Sequence, residues 1–254
     1  MSSANTTRKL VQQPWFQRFE RWVGESSYVG NAVFFEKEQF PWVEELEANW
    51  HVIRQELDAV MPFVDDLPNF QDISERQYRI ANDDRWKTYF FCAFSYKAQK
   101  NCDRCPETTR LIEKIPGMKV AFFSILAPGK HIPAHRGKHK GLVRYHLALK
   151  VPEPREQCRI RVDNQIRYWE EGKSLLFDDT YDHEVWNDTD GYRVVLFLDI
   201  ARPLPFPLSL LNWAVNKVVA SSSIVQKAKQ NHEAWEKKFA PVEQAARSSA
   251  NAQS

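Results

Sequence analysis

His135 stands in PAHRG, shortly after the turn-forming pair Pro128–Gly129, and His183 stands in FDDTYDHEVWN. They lie 48 residues apart, so a hairpin or more of chain separates them. Arg193 follows ten residues after His183, in the apolar run YRVVLFLDI. Any one of these histidines taken alone reads as structural; the set of three carries more. An iron that activates O2 takes neutral imidazoles and keeps positions open for a chelating cosubstrate and for oxygen. An arginine fork beyond the second histidine suits the far carboxylate of a dicarboxylic cosubstrate.

A second group lies in LVRYHLALKV. Side chains alternate across a strand, so Val143, Tyr145, Leu147 and Leu149 share one face, and Arg144, His146 and Ala148 share the other. That second face suits either a solvated surface or the interior of an anion-binding barrel. His131, His135 and His139 recur at four-residue steps, but Pro133 and Gly137 oppose a helix there. His131 and His139 therefore read as loop residues at a pocket mouth. Trp86, Trp169 and Trp186 read as core. Asp178, Asp179 and Glu184 sit near His183, where they suit either orienting that imidazole or ordinary turn roles.

These side chains need a frame. TYFFCAF (88–94), VAFFSIL (120–126), GLVRYHLALKVP (141–152), CRIRVDNQIRYWE (158–170), KSLLFDD (173–179) and YRVVLFLDI (192–200) are short and rich in β-branched and aromatic residues. Pro, Gly, Asp and Asn separate them, which predicts an all-β sandwich or barrel. Residues 40–60 and 107–117 have helical patterning. Trp15, Phe16, Phe19 and Trp22 are spaced along one side of a short helix, expected to pack on the main domain. The expected organisation is a polar extension with a short helix (1–29), the domain itself (30–201) and a C-terminal helical extension (202–254). Within the last, 208–239 reads as helix, packed on the domain or resting at a membrane surface.

The chain has 254 residues and a formal charge of +2, too even for a bulk electrostatic nucleic-acid binder. The charge is uneven locally, because no acid occurs between Glu113 and Glu153. This segment is basic and imidazole-rich. The N-terminus has no apolar run of signal-peptide type, and no window suits a transmembrane helix. Cys92, Cys102, Cys105 and Cys158 read as reduced thiols, since the one CxxC lacks a matching second pair. A cytoplasmic location is expected, with peripheral contact at the inner face of a membrane as an extension of it.

VAFFSILAPGKHIPAHRG, LVRYHLALKVP, WEEGKSLLFDDTYDHEVWN and YRVVLFLDI resemble the aspartyl/asparaginyl β-hydroxylase family of Fe(II)/2-oxoglutarate-dependent oxygenases, which includes lipid A 2-hydroxylases. The resemblance covers roughly residues 86–202. It implies a mainly β fold, a double-stranded β-helix or jelly roll with flanking N- and C-terminal helices. By position it implies that His135 and His183 hold iron, and that Arg193 and Ser124 hold the distal carboxylate of 2-oxoglutarate. His146 would touch the carboxylate end near the metal, and Arg144 would bind a substrate carboxylate. Most 2-oxoglutarate oxygenases carry an acid two residues after the first histidine. Here that residue is Gly137, as in the aspartyl branch. The resemblance thus implies that Ser124, His135, Arg144 and His146 of the acid-free segment surround a pocket, with Lys138 and Lys140 as rim charges.

Peptide-aspartyl hydroxylases carry a second arginine two residues before the one matching Arg144, where this chain has Leu142. The first expectation is an enzyme that consumes O2 and 2-oxoglutarate to hydroxylate an acidic or amide-bearing substrate such as a protein Asp or Asn. A lipid acyl chain is the alternative substrate, and a non-enzymatic jelly-roll binding module is the third reading. His183→Ala is expected to abolish iron-dependent succinate release. Wild-type succinate production by the iron-loaded variant would overturn the ligand assignment.

Overall fold

In a computed structural model, residues 13–73, 80–81, 83–137 and 139–251 are described. Lys138, one of the two lysines expected at the rim, lies outside them. Among the described residues the strands form two sheets. The larger has the order β1 (Phe34–Phe35), β9 (Ser174–Phe177), β6 (Leu142–Lys150), β11 (Arg193–Ala201), β4 (Met118–Leu126), β2 (Trp86–Ala93) and β3 (Tyr96–Lys97). The smaller has the order β5 (Lys130–His135), β10 (His183–Asn187), β7 (Cys158–Val162) and β8 (Gln165–Tyr168). The paired strands are antiparallel.

The last eight strands are wound as a jelly roll. In one sheet β4 pairs β11, β11 pairs β6 and β6 pairs β9; in the other β5 pairs β10, β10 pairs β7 and β7 pairs β8. The chain crosses between sheets at β4–β5, β5–β6, β6–β7, β8–β9, β9–β10 and β10–β11, which is the double-stranded β-helix expected.

The larger sheet is buried on both faces. Its outer face carries Val143, Tyr145, Leu147, Leu149, Leu196 and Leu198, packed on Val43, Leu46, Ile53, Leu57 and Leu111. Those partners come from α2 (Trp42–Ala48), α3 (Trp50–Val60) and α6 (Pro106–Glu113). The inner face carries Phe122, Ala148, Phe177, Val195 and Phe197, packed on Ile132, Ile160, Val162 and Val185 of the smaller sheet. The Arg144–His146–Ala148 face is thus the sandwich interior, which settles the choice alternation leaves open.

Several local expectations change. The helix expected over 40–60 is divided at Asn49, whose side chain donates to the Glu45 carbonyl at 2.8 Å. The run 158–170 folds back on itself, with Val162 opposite Gln165 and Asp163 at φ +53°. His131 lies on β5 rather than in a loop, bonded to Glu184 at 2.7 Å and stacked on Trp186. The helix expected over 208–239 is two helices, α7 (Leu208–Ala220) and α8 (Ser223–Asn251).

The remaining helices are α1 (Pro14–Glu25), α4 (Phe70–Ile73) and α5 (Gln99–Arg104). Trp15, Phe19 and Trp22 of α1 are exposed and Phe16 is half-buried, contrary to the expected packing. Its contacts with the rest include Val23, which meets Leu204 and Leu208, and Glu20, which is buried on Arg136.

Helix α8 does pack on the domain. Arg104 of α5 donates to Glu236 and Glu243, and Trp235 Nε1 donates to the Asp66 carbonyl. His232 is buried, bonded to Tyr96 Oη at 2.9 Å and within 3.2 Å of Asn101 Nδ2. Burial drives this imidazole down to about 4, outweighing Glu236 and Glu233. The unfolded imidazole titrates near 6.5. The folded protein therefore stays neutral there while the unfolded chain takes up a proton. His232 costs nothing above about pH 6.5, and stability falls as pH drops from about 6.5 to 4. The loss is at most about 3 kcal/mol. His232→Asn is expected to flatten that part of the profile of denaturation midpoint against pH.

Candidate functional site

The site lies between the two sheets, where β5 and β10 run side by side. His135 ends β5, His183 begins β10, and the two are direct cross-strand partners. The register shifts between His183/His135 and Val185/Ile132, so the extra residue lies in β5, at Pro133–Ala134, and bulges that strand here. The two rings approach to 4.1 Å between centroids. Each Nδ1 lies near a carbonyl two residues back: His135 on Pro133 at 2.9 Å and His183 on Tyr181 at 3.0 Å. A carbonyl only accepts, so each Nδ1 carries a proton, which in a neutral ring leaves the lone pair on Nε2. Burial, with His135 and Arg144 adding to it, holds the His183 pKa well below the ordinary value. Two neutral imidazoles with their tautomers set by backbone are what a metal ligand pair requires.

Among the described residues, no third His, Cys, Asp or Glu joins them in a metal-holding group. The reason lies at Gly137. A Cβ there would stand 2.3 Å from the Asp179 carboxylate, and Gly137 N already donates to the Asp179 carbonyl at 2.6 Å. The space where a side chain at 137 would begin is filled by Asp179. Burial raises the Asp179 pKa to about 6, against the pull of Arg144.

Arg193, Ser124 and His146 gather deeper in the sandwich. Arg193 is 1% exposed, lies 4.4 Å over the Trp169 ring, and its Nε and Nη1 have no hydrogen-bond partner. Among the described residues it has no carboxylate beside it, and burial lowers its pKa to about 10. Ser124 pairs with Val195, so it sits diagonally from Arg193 on the inner face, and its Oγ accepts from Trp86 Nε1 at 3.1 Å. His146 is buried against Trp169, Phe177 and Phe197, with neither ring nitrogen bonded. Burial and Arg193 hold its pKa well below the ordinary value. Trp169 Nε1 also lacks a partner.

Around Trp169 the interior therefore gathers, among the described residues, two guanidinium nitrogens, an imidazole and an indole N–H that have no hydrogen-bond partner, a cluster termed the chamber. A buried charge left this way costs several kcal/mol, so the chamber fits an anionic, hydrogen-bond-accepting guest such as a dicarboxylate. Trp169, read as core from sequence, is core and also the floor under both Arg193 and His146. Trp86 likewise has a site role through Ser124. Neither has a distinguishing signal in sequence.

Arg144 is placed differently. Its fork grips Asp199 at 2.9 and 3.0 Å, its Nη2 meets Asp179 at 2.9 Å, and it stacks over Phe197 at 4.5 Å. Two carboxylates already answer its charge. The same holds through the acid-free segment, whose bases find acids from distant parts of the chain. Lys130 meets Asp83, Arg136 meets Glu20, and Lys140 meets Asp178 at 3.0 Å. Lys140 is buried, not a rim charge. Arg202 completes this layer on Asp178. Both aspartates near His183 thus hold cations.

Beyond Arg144 lies a cavity of about 210 Å³, walled by Phe70, Phe90, Phe122 and Phe197 of the domain and by Val225 and Ala228 of α8. Ring contacts run from it to the histidine pair: Phe122–Phe197 at 4.3 Å, Phe197–His146 and His146–Phe177 at 5.1 Å, and Phe177–His183 at 5.9 Å.

A family model described as aspartyl/asparaginyl β-hydroxylase matches residues 47–203. An ornithine lipid ester-linked acyl 2-hydroxylase of Rhizobium tropici is 46% identical over 211 residues, covering 83% of this chain and 75% of that protein. The human aspartyl/asparaginyl β-hydroxylase is 34% identical over 168 residues, covering 63% of this chain but 21% of that protein. Among solved structures, the cupin domain of an XRE-family transcriptional regulator from Enterobacter cloacae aligns with 46% of this chain and 96% of its own, at TM-score 0.32 and 15% identity.

Replacing Arg193 separates its cost from its use. Arg193→Met removes a buried unpaired charge, so the ligand-free protein is expected to hold or raise its Tm. The expectation that Arg193 holds the distal carboxylate of 2-oxoglutarate predicts that the same variant loses affinity for it by about a hundredfold or more, read by calorimetry.

Proposed function

The chain belongs to the aspartyl/asparaginyl β-hydroxylase family, and from that membership we propose that it is an Fe(II)- and 2-oxoglutarate-dependent hydroxylase of an ester-linked acyl chain on an amino-acid-headed membrane lipid. In this reading His135 and His183 hold Fe(II). Arg193 and Ser124 hold the distal carboxylate of 2-oxoglutarate, and His146 and Trp169 border the same chamber. When bound there, iron and 2-oxoglutarate supply the O2-driven oxidation of a C–H bond, with succinate and CO2 released.

The chain's own residues position and exclude. The Pro133 and Tyr181 carbonyls hold both imidazoles in the tautomer that offers Nε2. The Arg193 guanidinium needs no rearrangement to meet an anion, since Trp169 already sets its plane. Phe177 and Phe197, beside His146, keep water from the reacting carbon. Gly137 lets Asp179 reach Arg144, so Arg144, Asp179 and Asp199 form a salt-bridged trio at the end of the cavity.

One observation carries the choice of substrate. The side chain expected to bind a substrate acid, Arg144, is held by two aspartates at the end of a cavity walled by phenylalanines. With both aspartates ionised the trio carries one net negative charge, which opposes a carboxylate and tolerates an apolar chain. This supports the lipid alternative over an Asp or Asn side chain. The similarity to the Rhizobium tropici acyl 2-hydroxylase supports the same choice and suggests carbon 2 of the chain. A place at the cytoplasmic face of a membrane belongs to this reading.

The test is succinate release with four substrate classes: ornithine-headed acyl lipids, simple long-chain esters, Asp/Asn peptides and free amino acids. Acyl lipids are expected to give succinate matched by a lipid one oxygen heavier. Turnover of peptides alone would overturn the reading. Ala228→Trp fills the cavity from α8. It is expected to cut long-chain lipid turnover about tenfold or more while leaving 2-oxoglutarate affinity unchanged.

A further inference from the structure

Helix α7 is turned inside out. Its buried positions are Leu208, Asn212 and Asn216, four residues apart on one side, and two of the three are polar. Asn212 Nδ2 donates to the Gly141 carbonyl at 2.9 Å, and Asn216 Nδ2 donates back to the Asn212 carbonyl at 2.9 Å. The apolar side faces out: Trp213 is 58% exposed and Val218 72%, with Leu210 and Leu211 also exposed. A helix packed by hydrophobic burial alone would present the opposite sides.

The apolar side of α1 lies exposed as well, with Trp15 at 59% and Trp22 at 52%. The two helices are joined. Val23 packs with Leu204 and Leu208, and the Pro203 carbonyl accepts from Ser27 Oγ at 2.9 Å and from Tyr28 N at 3.1 Å. Phe206, 80% exposed, sits just before α7.

We propose that the outward sides of α1 and α7 form one docking surface for a bilayer bearing anionic headgroups, placed so that the site opens toward the lipid. The proposal rests on the lipid reading above, but it has its own observations. Helix α7 and the segment leading into it, residues 200–222, contain no Asp or Glu, while Lys217 is exposed on α7. Lys217 Nζ lies 5.7 Å from the Trp213 ring, and Arg18 and Arg21 are exposed on α1. In α1, Glu20 is buried on Arg136, which leaves Glu25 as its exposed acid. Tryptophans and leucines ringed by bases suit the headgroup region of a negatively charged membrane. No helix among the described residues is long and apolar enough to cross one.

Both helices are fastened to the segment that follows His135. Arg136 binds Glu20 of α1 at 2.9 Å, and the Gly141 carbonyl takes Asn212 of α7. After Ser221 and Ser222, α7 is followed by α8, whose Val225 and Ala228 wall the cavity.

The test uses the full chain with vesicles of phosphatidylcholine alone or mixed with phosphatidylglycerol. Wild type is expected to co-sediment with the anionic vesicles, less so as salt rises. Trp15→Ser/Trp213→Ser is expected to weaken that binding at least about tenfold for each side chain, with Tm held. Turnover of a short-chain acyl lipid kept below its micelle concentration reads the chemistry without a membrane. The double variant is expected to keep that turnover and to lose turnover on vesicles. A wild type that hydroxylates the dispersed lipid but sediments with neither vesicle overturns the docking surface and leaves the function standing. Vesicle binding without turnover of any lipid removes the function and leaves the surface standing. A dimer by analytical ultracentrifugation that the double variant breaks, with no vesicle binding, makes the face a protein contact and overturns the proposal.

Discussion

A guanidinium sealed inside a β-sandwich without a carboxylate beside it is costly, and Arg193 is in that position. Taking such a charge out of water costs several kcal/mol even after relaxation. The jelly roll holds it there because β11 lies between β4 and β6, buried on both faces and bonded along both edges. Trp169 supplies the nearest answer to the charge, through its ring face. The unbonded nitrogens of His146 and Trp169 share the chamber, so the polarity is concentrated in one place. Phe122, Ala148, Phe177 and Val195 surround it on the inner face, so these polar groups stand in an apolar setting.

The other buried arginines are treated in the opposite way. Arg144 is held by Asp179 and Asp199, and Arg202 by Asp178. These pairs tie together segments far apart in the chain: β6 with β11, and the loop before β10 with the end of β11. Lys140 and the Arg136–Glu20 pair extend the same layer to α1. One arginine is thus left open in a molecule that neutralises its neighbours, and burial alone does not account for the difference.

Much of this was legible in the sequence, and the failures have physical causes. Alternation in 142–150 identified the two faces of β6 but not which one met the second sheet, because helices cover one face and strands the other, and both are buried. β5 escaped notice because KHIPAH contains a proline, which an edge strand of the smaller sheet tolerates. The acid-free segment looked like an unbalanced basic patch because charge balance is struck in space, and its partners come from residues 20, 83, 178, 179 and 199. The apolar spacing in α1 marks a helix, but its expected packing fails, since periodicity locates a stripe without saying what the stripe faces. For 208–239 the pattern leaves both directions open, and the structure turns the apolar side of α7 outward.

The contact between Gly137 and Asp179 constrains how this sequence can change. A side chain introduced at 137 collides with the Asp179 carboxylate at 2.3 Å. Removing the Asp179 carboxylate first leaves Arg144 with Asp199 alone. A change at either position is therefore felt at the other. An acid two residues after the first histidine would have to displace a carboxylate that Arg144 already holds, so metal ligation from position 137 and neutralisation of Arg144 by Asp179 compete for one space.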